Sequence, residues 1–232
     1  MTTILLTGSS RGIGAACAAA LTAAGAHVIG HGTASGLAAD LADPAAPADL
    51  WARALDAASG RIDVLINNAG VFEPNPLDAD HDAWVAGWER TLRINLTAAA
   101  ELSRLAVNHW RDAGRGGRLV NVASRAAYRG DSPAHWHYAA AKAGMVAMTK
   151  TIARGYAADG ILAFAVCPGF TMTGMAEDYL ASRGGDKLLA DIPLGRVAEP
   201  AEVAAAVRFL AVDAPASMTG AVLDVNGASY VR

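Results

Sequence analysis

The amino-acid sequence predicts an α/β fold in which helices cover both faces of one mostly parallel sheet, a doubly wound architecture. Short apolar runs of strand length recur along the chain, and helix-favouring stretches separate most of them. The first run ends in a glycine-rich loop that leads into an alanine-rich helical stretch. Because no linker or charge run divides the 232 residues, we expect one domain covering residues 1–232.

Several apolar runs have the length and the flanking turn residues of buried strands. They are residues 3–7, 26–30, 37–41, 62–66, 119–123, 161–166 and 221–225. Helical patterns cover residues 15–24, 44–58, 82–112 and 199–212, and a further helix is expected to begin at Asp131-Ser132-Pro133. Only residues 31–36 separate the second run from the third, whereas a parallel crossover usually needs a dozen or more. The usual crossover helix is therefore expected to be missing there.

The composition favours small-molecule partners. The formal net charge is −3, and lysines and arginines form neither a stripe for nucleic acid nor a patch for a membrane surface. Cys17 and Cys167 lie far apart without Cys-x-x-Cys spacing, so neither a disulfide framework nor a zinc site is predicted. The apolar run at residues 4–6 is too short for a signal core. We expect a cytoplasmic protein that binds no nucleic acid, membrane or metal.

The glycine-rich loop is typical of a site that binds an anion. Residues 8–14 read Gly-Ser-Ser-Arg-Gly-Ile-Gly and join the first predicted strand to the first predicted helix. A helix N-terminus exposes unpaired N–H groups and the positive end of the dipole, and glycines there let a pyrophosphate approach the backbone. The motif alone is weak, but its place between strand and helix strengthens it.

The end of the second predicted strand indicates which dinucleotide is preferred. Folds of this kind often place an Asp or Glu there to hold the adenosine ribose, and that acid repels a 2′-phosphate. This chain has His31-Gly32-Thr33 instead, and Arg11 in the glycine loop could reach a phosphate. NADP is favoured over NAD.

Tyr138 and Lys142 stand four residues apart in a helix-favouring stretch, so their side chains share one helical face. A phenol ionises near pH ~10, and a neighbouring ammonium favours the phenolate. Tyr138 could then exchange a proton with an alcohol or carbonyl oxygen. Taken alone, the pair is better explained as two residues on a solvated helix face, so other positions must decide.

Other polar residues fall where parallel strands end or where a helix should be apolar. Ser124 follows one strand and could donate to a substrate oxygen in the crevice. Asn67-Asn68-Ala69-Gly70 follows another, as part of the crevice or as a simple turn. Asn95 interrupts an apolar helical stripe, where it either bridges to backbone or holds a functional water; spacing alone favours a structural role. The segment from Phe170 to Pro193 is a candidate lid.

Together these stretches resemble the short-chain dehydrogenase/reductase family from Thr3 to about Gly227, including bacterial 3-oxoacyl-ACP reductase-like members. The motifs that carry the likeness are Thr7 to Gly14, Asn67 to Gly70, Asn95, Ser124, Tyr138-x-x-x-Lys142, and Pro168-Gly169 with Thr173. The resemblance implies a Rossmann-like sheet with strand order 3-2-1-4-5-6-7. It also implies a homotetramer built through the helices that contain Asn95 and Tyr138 and through the C-terminal segment.

The resemblance also implies a role for each motif residue. Tyr138 would be the general acid/base, and Lys142 would lower its pKa. Ser124 would fix the substrate carbonyl oxygen, and Asn95 would hold a water in a proton relay. The cofactor-binding residues would be Gly8, Ser10, Arg11, Gly12, Ile13, Gly14, His31, Asp40, Leu41, Asn67, Ala69, Gly70, Tyr138, Lys142, Pro168, Gly169, Thr171 and Thr173.

These expectations leave three candidate functions. The first is an NADP(H)-dependent carbonyl reductase or alcohol dehydrogenase acting on a small molecule, and the second is a 3-oxoacyl thioester reductase. The third is a non-catalytic nucleotide-binding regulator, against which the intact catalytic set speaks.

The loop after Ser124 raises a hypothesis about the substrate. Arg125 or Arg129 could pair with a substrate carboxylate or phosphate. The alternative, slightly favoured, is that Arg129 pairs with Asp131 or that both arginines face another subunit. His135 and His137 are two residues apart and would diverge on a helix, which argues against a metal site.

Overall fold

The structure is a computed structural model that describes residues 1–173 and 185–232. The strands are β1 Thr3–Leu6, β2 His27–Gly30, β3 Val64–Asn67, β4 Gly117–Val122, β5 Ile161–Pro168 and β6 Val222–Val225. The helices are α1 Gly12–Ala23, α2 Ala46–Ala57, α3 His81–Leu92, α4 Ala98–Asp112, α5 Ala126–Arg129, α6 Trp136–Tyr156, α7 Gly185–Ala190 and α8 Pro200–Arg208. In the described residues the strands form one parallel sheet in the order β2-β1-β3-β4-β5-β6.

Both faces of the sheet are covered, as the doubly wound prediction required. Alternate residues of β1 point to opposite faces: Leu5 packs in the cluster formed with α2, α4 and α6, and Ile4 packs in the cluster formed with α1 and α8. Both side chains are fully buried. The α/β class and the parallel sheet are therefore confirmed.

The predicted third strand at residues 37–41 is wrong. After β2 the chain folds back on the strand end through an antiparallel bridge between His31 and Gly36, and Leu37 N donates to Gly30 O at 2.9 Å. The segment then leads into α2 while Leu41 is buried in the core. Because the link is too short to cross over, this segment adds no strand, and β2 becomes an edge of the sheet. The rest of the predicted order is observed, and the described link contains no crossover helix.

The long helical region predicted at residues 82–112 is interrupted by a π-helical turn. α3 ends at Leu92, the turn covers Arg93–Thr97, and α4 follows without a break. Asn95 lies inside this turn and is fully buried. Such turns insert one extra residue into a helix and are frequent at functional sites.

The predicted start of α6 needs correction. The helix begins at Trp136 with His135 as its N-cap, rather than at Pro133. Ser132 does not cap the helix, because its Oγ lies 2.7 Å from His135 Nδ1. The side chains of Ser132 and His135 thus stabilise each other in the turn before Tyr138.

Candidate active site

The candidate site lies at the edge of the sheet where the parallel strands end. Gly8 follows β1, Asn67 ends β3, Ser124 follows β4 and Pro168 ends β5. In open α/β sheets, ligands bind in the crevice outside these carboxyl ends. The motifs that the sequence places far apart are therefore brought to one edge.

The glycine loop is a cradle that leaves little room for a side chain at its glycine positions. A Cβ on Gly14 would collide with the carbonyl oxygen of Gly8, and a Cβ on Gly12 would lie 3.0 Å from Thr173 Cγ2. Gly8 and Gly12 also have positive φ angles of 66° and 53°, which glycine adopts most readily. α1 begins at Gly12 without an acidic residue in its first turn, so its N-terminus favours an anion. This geometry fits the pyrophosphate of a dinucleotide.

Asn68 fixes the glycine loop, a role that the sequence reasoning missed. Its Nδ2 donates to Thr7 O at 3.0 Å and to Gly8 O at 2.9 Å, while Thr7 Oγ1 accepts from the backbone N–H groups of Asn68 and Ala69. Asn67 instead turns its side chain into the core, where Nδ2 donates to Asn121 Oδ1 at 2.9 Å. Asn68 was part of the recognised motif, but spacing could not tell which amide faces the loop.

His31 connects the glycine loop to the link after β2. The ring is buried, Gly8 N lies 3.3 Å from Nδ1, and Ala39 O lies 3.0 Å from Nε2. Burial lowers the pKa of His31, so the neutral ring bridges the glycine loop and the following link. Asp40 is exposed, with Oδ1 accepting from Ala42 N, and Leu41 is buried.

Tyr138, Ser124 and Lys142 come together as predicted. The Ser124 hydroxyl lies near enough to the Tyr138 hydroxyl to lower its pKa, and Lys142 Nζ lies 5.8 Å from the Tyr138 ring centroid. Lys142 is buried and donates to Val122 O at 2.8 Å. Burial raises the pKa of Tyr138 to about 12, opposed by the nearby Ser124 hydroxyl, and lowers the pKa of Lys142 to about 8. In this structure burial, rather than Lys142, has the largest effect on the pKa of the Tyr138 hydroxyl.

The side-chain oxygen and nitrogen of Asn95 both form hydrogen bonds with the backbone of Val71. Its Oδ1 accepts from Val71 N at 2.8 Å, and its Nδ2 donates to Val71 O at 2.8 Å. A Cβ on Gly70 would lie 3.0 Å from Asn95 Oδ1 and 3.6 Å from Lys142 Nζ, so these three residues converge. Of the two expectations for Asn95, the structure shows the bridge to backbone, and the relay water remains a prediction.

An aromatic wall that the sequence reasoning missed stands beside Tyr138. The Phe72 ring stacks on His135 with centroids 3.9 Å apart and meets the edge of Tyr138 at 4.8 Å. The rings of His135 and His137 lie 6.2 Å apart rather than diverging, because His135 precedes the helix. His135 Nε2 and His137 Nδ1 are buried without a hydrogen-bond partner in the described residues.

The two arginines after Ser124 meet a partner that the sequence did not indicate. Arg129 Nη1 lies 2.6 Å from Asp191 Oδ2, so the expected pairing with Asp131 is wrong. Arg125 Nη1 lies 3.4 Å from the same oxygen. Asp131 Oδ1 instead accepts from Ser132 N at 2.8 Å.

The segment after β5 closes the far side of the crevice. Gly169 N donates to Val225 O at 2.9 Å, and Thr171 forms a bridge with Ala198. Thr173 lies beside the glycine loop, because a side chain added at Gly12 would press against its Cγ2. The candidate lid from Phe170 to Pro193 includes residues 174–184, which lie outside the described residues.

Fold and site together define a dinucleotide-dependent oxidoreductase. A family model described as enoyl-(acyl carrier protein) reductase matches residues 30–228. The chain is 36% identical to the 3-oxoacyl-(acyl-carrier-protein) reductase FabG of Escherichia coli (strain K12) over 242 residues, covering 98% of this chain and 96% of the relative. It is 38% identical to the cis-4-hydroxycyclohexanecarboxylate dehydrogenase of Sinomonas cyclohexanicum over 245 residues, covering 96% and 94%.

A solved structure agrees with these sequence relatives. The protein from Beutenbergia cavernae assigned as an NAD(P)-dependent gluconate 5-dehydrogenase, with NADP bound at low occupancy, superposes with a TM-score of 0.88 at 32% identity and covers 97% of this chain and 95% of that one. The chain belongs to the short-chain dehydrogenase/reductase family and is an NAD(P)-dependent enzyme that interconverts carbonyl and alcohol groups. Among the described residues, no helix is long and apolar enough to cross a membrane.

Proposed function

We propose that this enzyme is an NADP(H)-preferring carbonyl reductase or alcohol dehydrogenase in which Tyr138 is the general acid/base. The observation that carries the proposal is the contact of Tyr138 with Ser124 beside the buried Lys142, at the edge of the sheet that also carries the glycine cradle. We further propose that it is a single-domain protein of the cytoplasm, in line with its two free cysteines, Cys17 and Cys167.

The proposed chemistry divides the work between the cofactor and the chain. When bound, the nicotinamide supplies or accepts the hydride. In the reducing direction Tyr138 donates its hydroxyl proton to the carbonyl oxygen, and Ser124 donates a hydrogen bond to the same oxygen. Hydride on carbon and proton on oxygen together give the alcohol. The buried Lys142 ammonium stabilises the phenolate that remains.

The end of β2 supports the preference for NADP. His31 takes the place of the acid that would repel a 2′-phosphate, and Arg11 is exposed in the glycine loop. A Cβ on Gly32 would lie 2.8 Å from Ser35 Oγ and 3.3 Å from Ser10 Oγ, so hydroxyl groups flank this turn. Fluorescence titration with NADPH and NADH tests the preference, and equal affinity for the two would contradict it.

The names of three relatives point to two classes of substrate. The FabG relative of Escherichia coli, matched over nearly its whole length, favours a 3-oxoacyl thioester, whereas the names of the Sinomonas and Beutenbergia relatives indicate hydroxy acids. A panel containing acetoacetyl thioesters, oxo acids and neutral ketones separates these possibilities. Absence of turnover across the panel would favour a nucleotide-binding regulator instead.

The proposal for Tyr138 is tested by removing its hydroxyl. In Tyr138→Phe the aromatic contact with Phe72 is retained. General acid/base catalysis contributes about 10²- to 10⁴-fold, so turnover should fall by that factor while NADPH binding persists. Unchanged turnover would remove the proposed mechanism.

We also propose a homotetramer, assembled through the helical region α3–α4 that includes Asn95, through α6, and through the C-terminal segment after β6. Helix faces and chain ends of this kind supply the paired, self-complementary surfaces of closed symmetric assemblies. Light scattering that shows a monomer would refute it.

A further inference from the structure

Arg125 is a buried cation that directly follows Ser124 in the sequence. Its side chain is only 10% exposed. Its guanidinium carbon lies 4.9 Å from the centroid of the Phe170 ring, and its backbone N–H donates to Pro168 O at 2.9 Å. The backbone of Arg125 is therefore fixed beside Ser124, and its guanidinium packs against the Phe170 ring in the segment after β5.

The charge of Arg125 is incompletely balanced. In the described chain its guanidinium has one hydrogen bond, a long one of 3.4 Å from Nη1 to Asp191 Oδ2. That oxygen is shared with Arg129, which is closer at 2.6 Å. Asp191 is 46% exposed, so much of its charge faces water. Two guanidinium groups thus share one oxygen of one carboxylate, although a buried cation normally needs a close partner of its own.

Other charged groups nearby do not complete the pairing. Asp131 attracts Arg125 through space, but its Oδ1 accepts from Ser132 N and the residue is exposed. Burial, followed by repulsion from Arg129, lowers the pKa of Arg125. The surroundings therefore disfavour the cation, and an additional anion beside it would be stabilising.

We propose that Arg125 binds a carboxylate of the substrate, so that the enzyme acts on oxo acids and hydroxy acids. This inference rests on the proposed function. A guanidinium presents a planar fork of N–H donors that matches a carboxylate, and the Phe170 ring packs against this guanidinium. Arg129 holds the Asp191 carboxylate, and this carboxylate competes with the substrate for Arg125.

The test compares an acid with a neutral ligand of the same shape. Calorimetry measures binding of cyclohexanecarboxylate and cyclohexanecarboxamide to the enzyme–NADP⁺ complex. In parallel, NADPH oxidation is followed with 4-oxocyclohexanecarboxylate and its methyl ester. The wild type should prefer the acid in both assays, and Arg125→Leu should reduce that preference roughly 10- to 100-fold, the size of a charged hydrogen-bond pair.

A second variant distinguishes recognition from a structural ion pair. Asp191→Asn removes the competing carboxylate while keeping the shape of the side chain, so it should strengthen acid binding by about threefold or more. If the ion pair serves only to hold the segment after β5, Arg125→Leu and Asp191→Asn should both weaken binding of acid and amide alike. Arg208→Leu, which removes an exposed ion pair with Asp213, is the matched control and should leave the acid preference unchanged.

The outcomes separate this inference from the proposed function. Equal binding of acid and amide by the wild type overturns the carboxylate site, whether or not any compound turns over. Turnover of ketones without an Arg125-dependent acid preference overturns the inference and leaves the proposed function standing. An Arg125-dependent acid preference with no turnover of any compound contradicts the proposed function and supports an anion site.

Discussion

Replacing Asn95 by alanine should destabilise the protein because the amide serves Val71. The substitution removes the donor and the acceptor that satisfy Val71 O and Val71 N, each at 2.8 Å, in a site where Asn95 is fully buried. A buried backbone group left without a partner costs about 1–3 kcal/mol, so two such groups give roughly 2–6 kcal/mol. That is a large part of the ~5–15 kcal/mol by which a domain is usually stable.

The assay is urea unfolding of the cofactor-free protein, followed by circular dichroism, for the wild type and Asn95→Ala. Asn108→Ala is the matched control because Asn108 is exposed on the adjoining helix α4, and its effect should stay within about 0.5 kcal/mol. Val71 precedes Phe72, which meets Tyr138, so turnover should fall as well.

A loss of less than about 0.5 kcal/mol in Asn95→Ala would refute the reasoning from these two hydrogen bonds. If stability were kept while turnover fell, Asn95 would act through a bound water, as the family resemblance implies, and not through Val71. The two readouts therefore separate the structural role from the relay role.

The remaining predictions concern the same crevice. Gly14→Ala should abolish NADPH binding, because its Cβ collides with Gly8 O, and retained affinity in the titration would contradict this. Lys142→Met should remove turnover yet raise the unfolding free energy by ~1–3 kcal/mol, because burial lowers the lysine pKa from 10.5 to about 8 and so disfavours the cation in the folded state. Burial also lowers the pKa of His135 and His137, so the unfolded chain binds protons at a higher pH than the folded protein does. The stability that is present above pH ~6.5 should therefore be lost as the pH falls through that value. A flat profile of the unfolding free energy between about pH 7.5 and 5.5 would contradict this.

The sheet could be predicted because its residues obey a simple rule. Buried parallel strands are continuous apolar runs, and the stretches around Leu5, Leu65 and Leu119 are found as such strands. Residues 37–41 have the same apolar pattern as a buried strand, but an extended link that buries Leu41 produces that pattern as well. Only the tertiary fold decides between the two, because the short connection cannot carry the chain across the sheet.

The site was predictable where chemistry follows local spacing. Tyr138 and Lys142 lie one helical turn apart, and the glycine loop joins a strand directly to a helix. Contacts between distant segments were not predictable: Arg129 meets Asp191 across 62 positions, and Asn95 meets Val71 across 24. Hydrophobic periodicity carries no information about which polar residues meet.

The short connection after β2 makes β2 an edge strand of the sheet, and this affects how the protein can associate with other molecules. An edge strand exposes unpaired N–H and C=O groups that can pair with another molecule. Here β2 runs only from His27 to Gly30, and the carbonyl oxygen of Gly30 already accepts a hydrogen bond from Leu37 N. So short an edge strand offers too few free donors and acceptors for a strand of a neighbouring molecule to pair with it. The chain therefore omits a strand and a helix without exposing a long unpaired edge at β2.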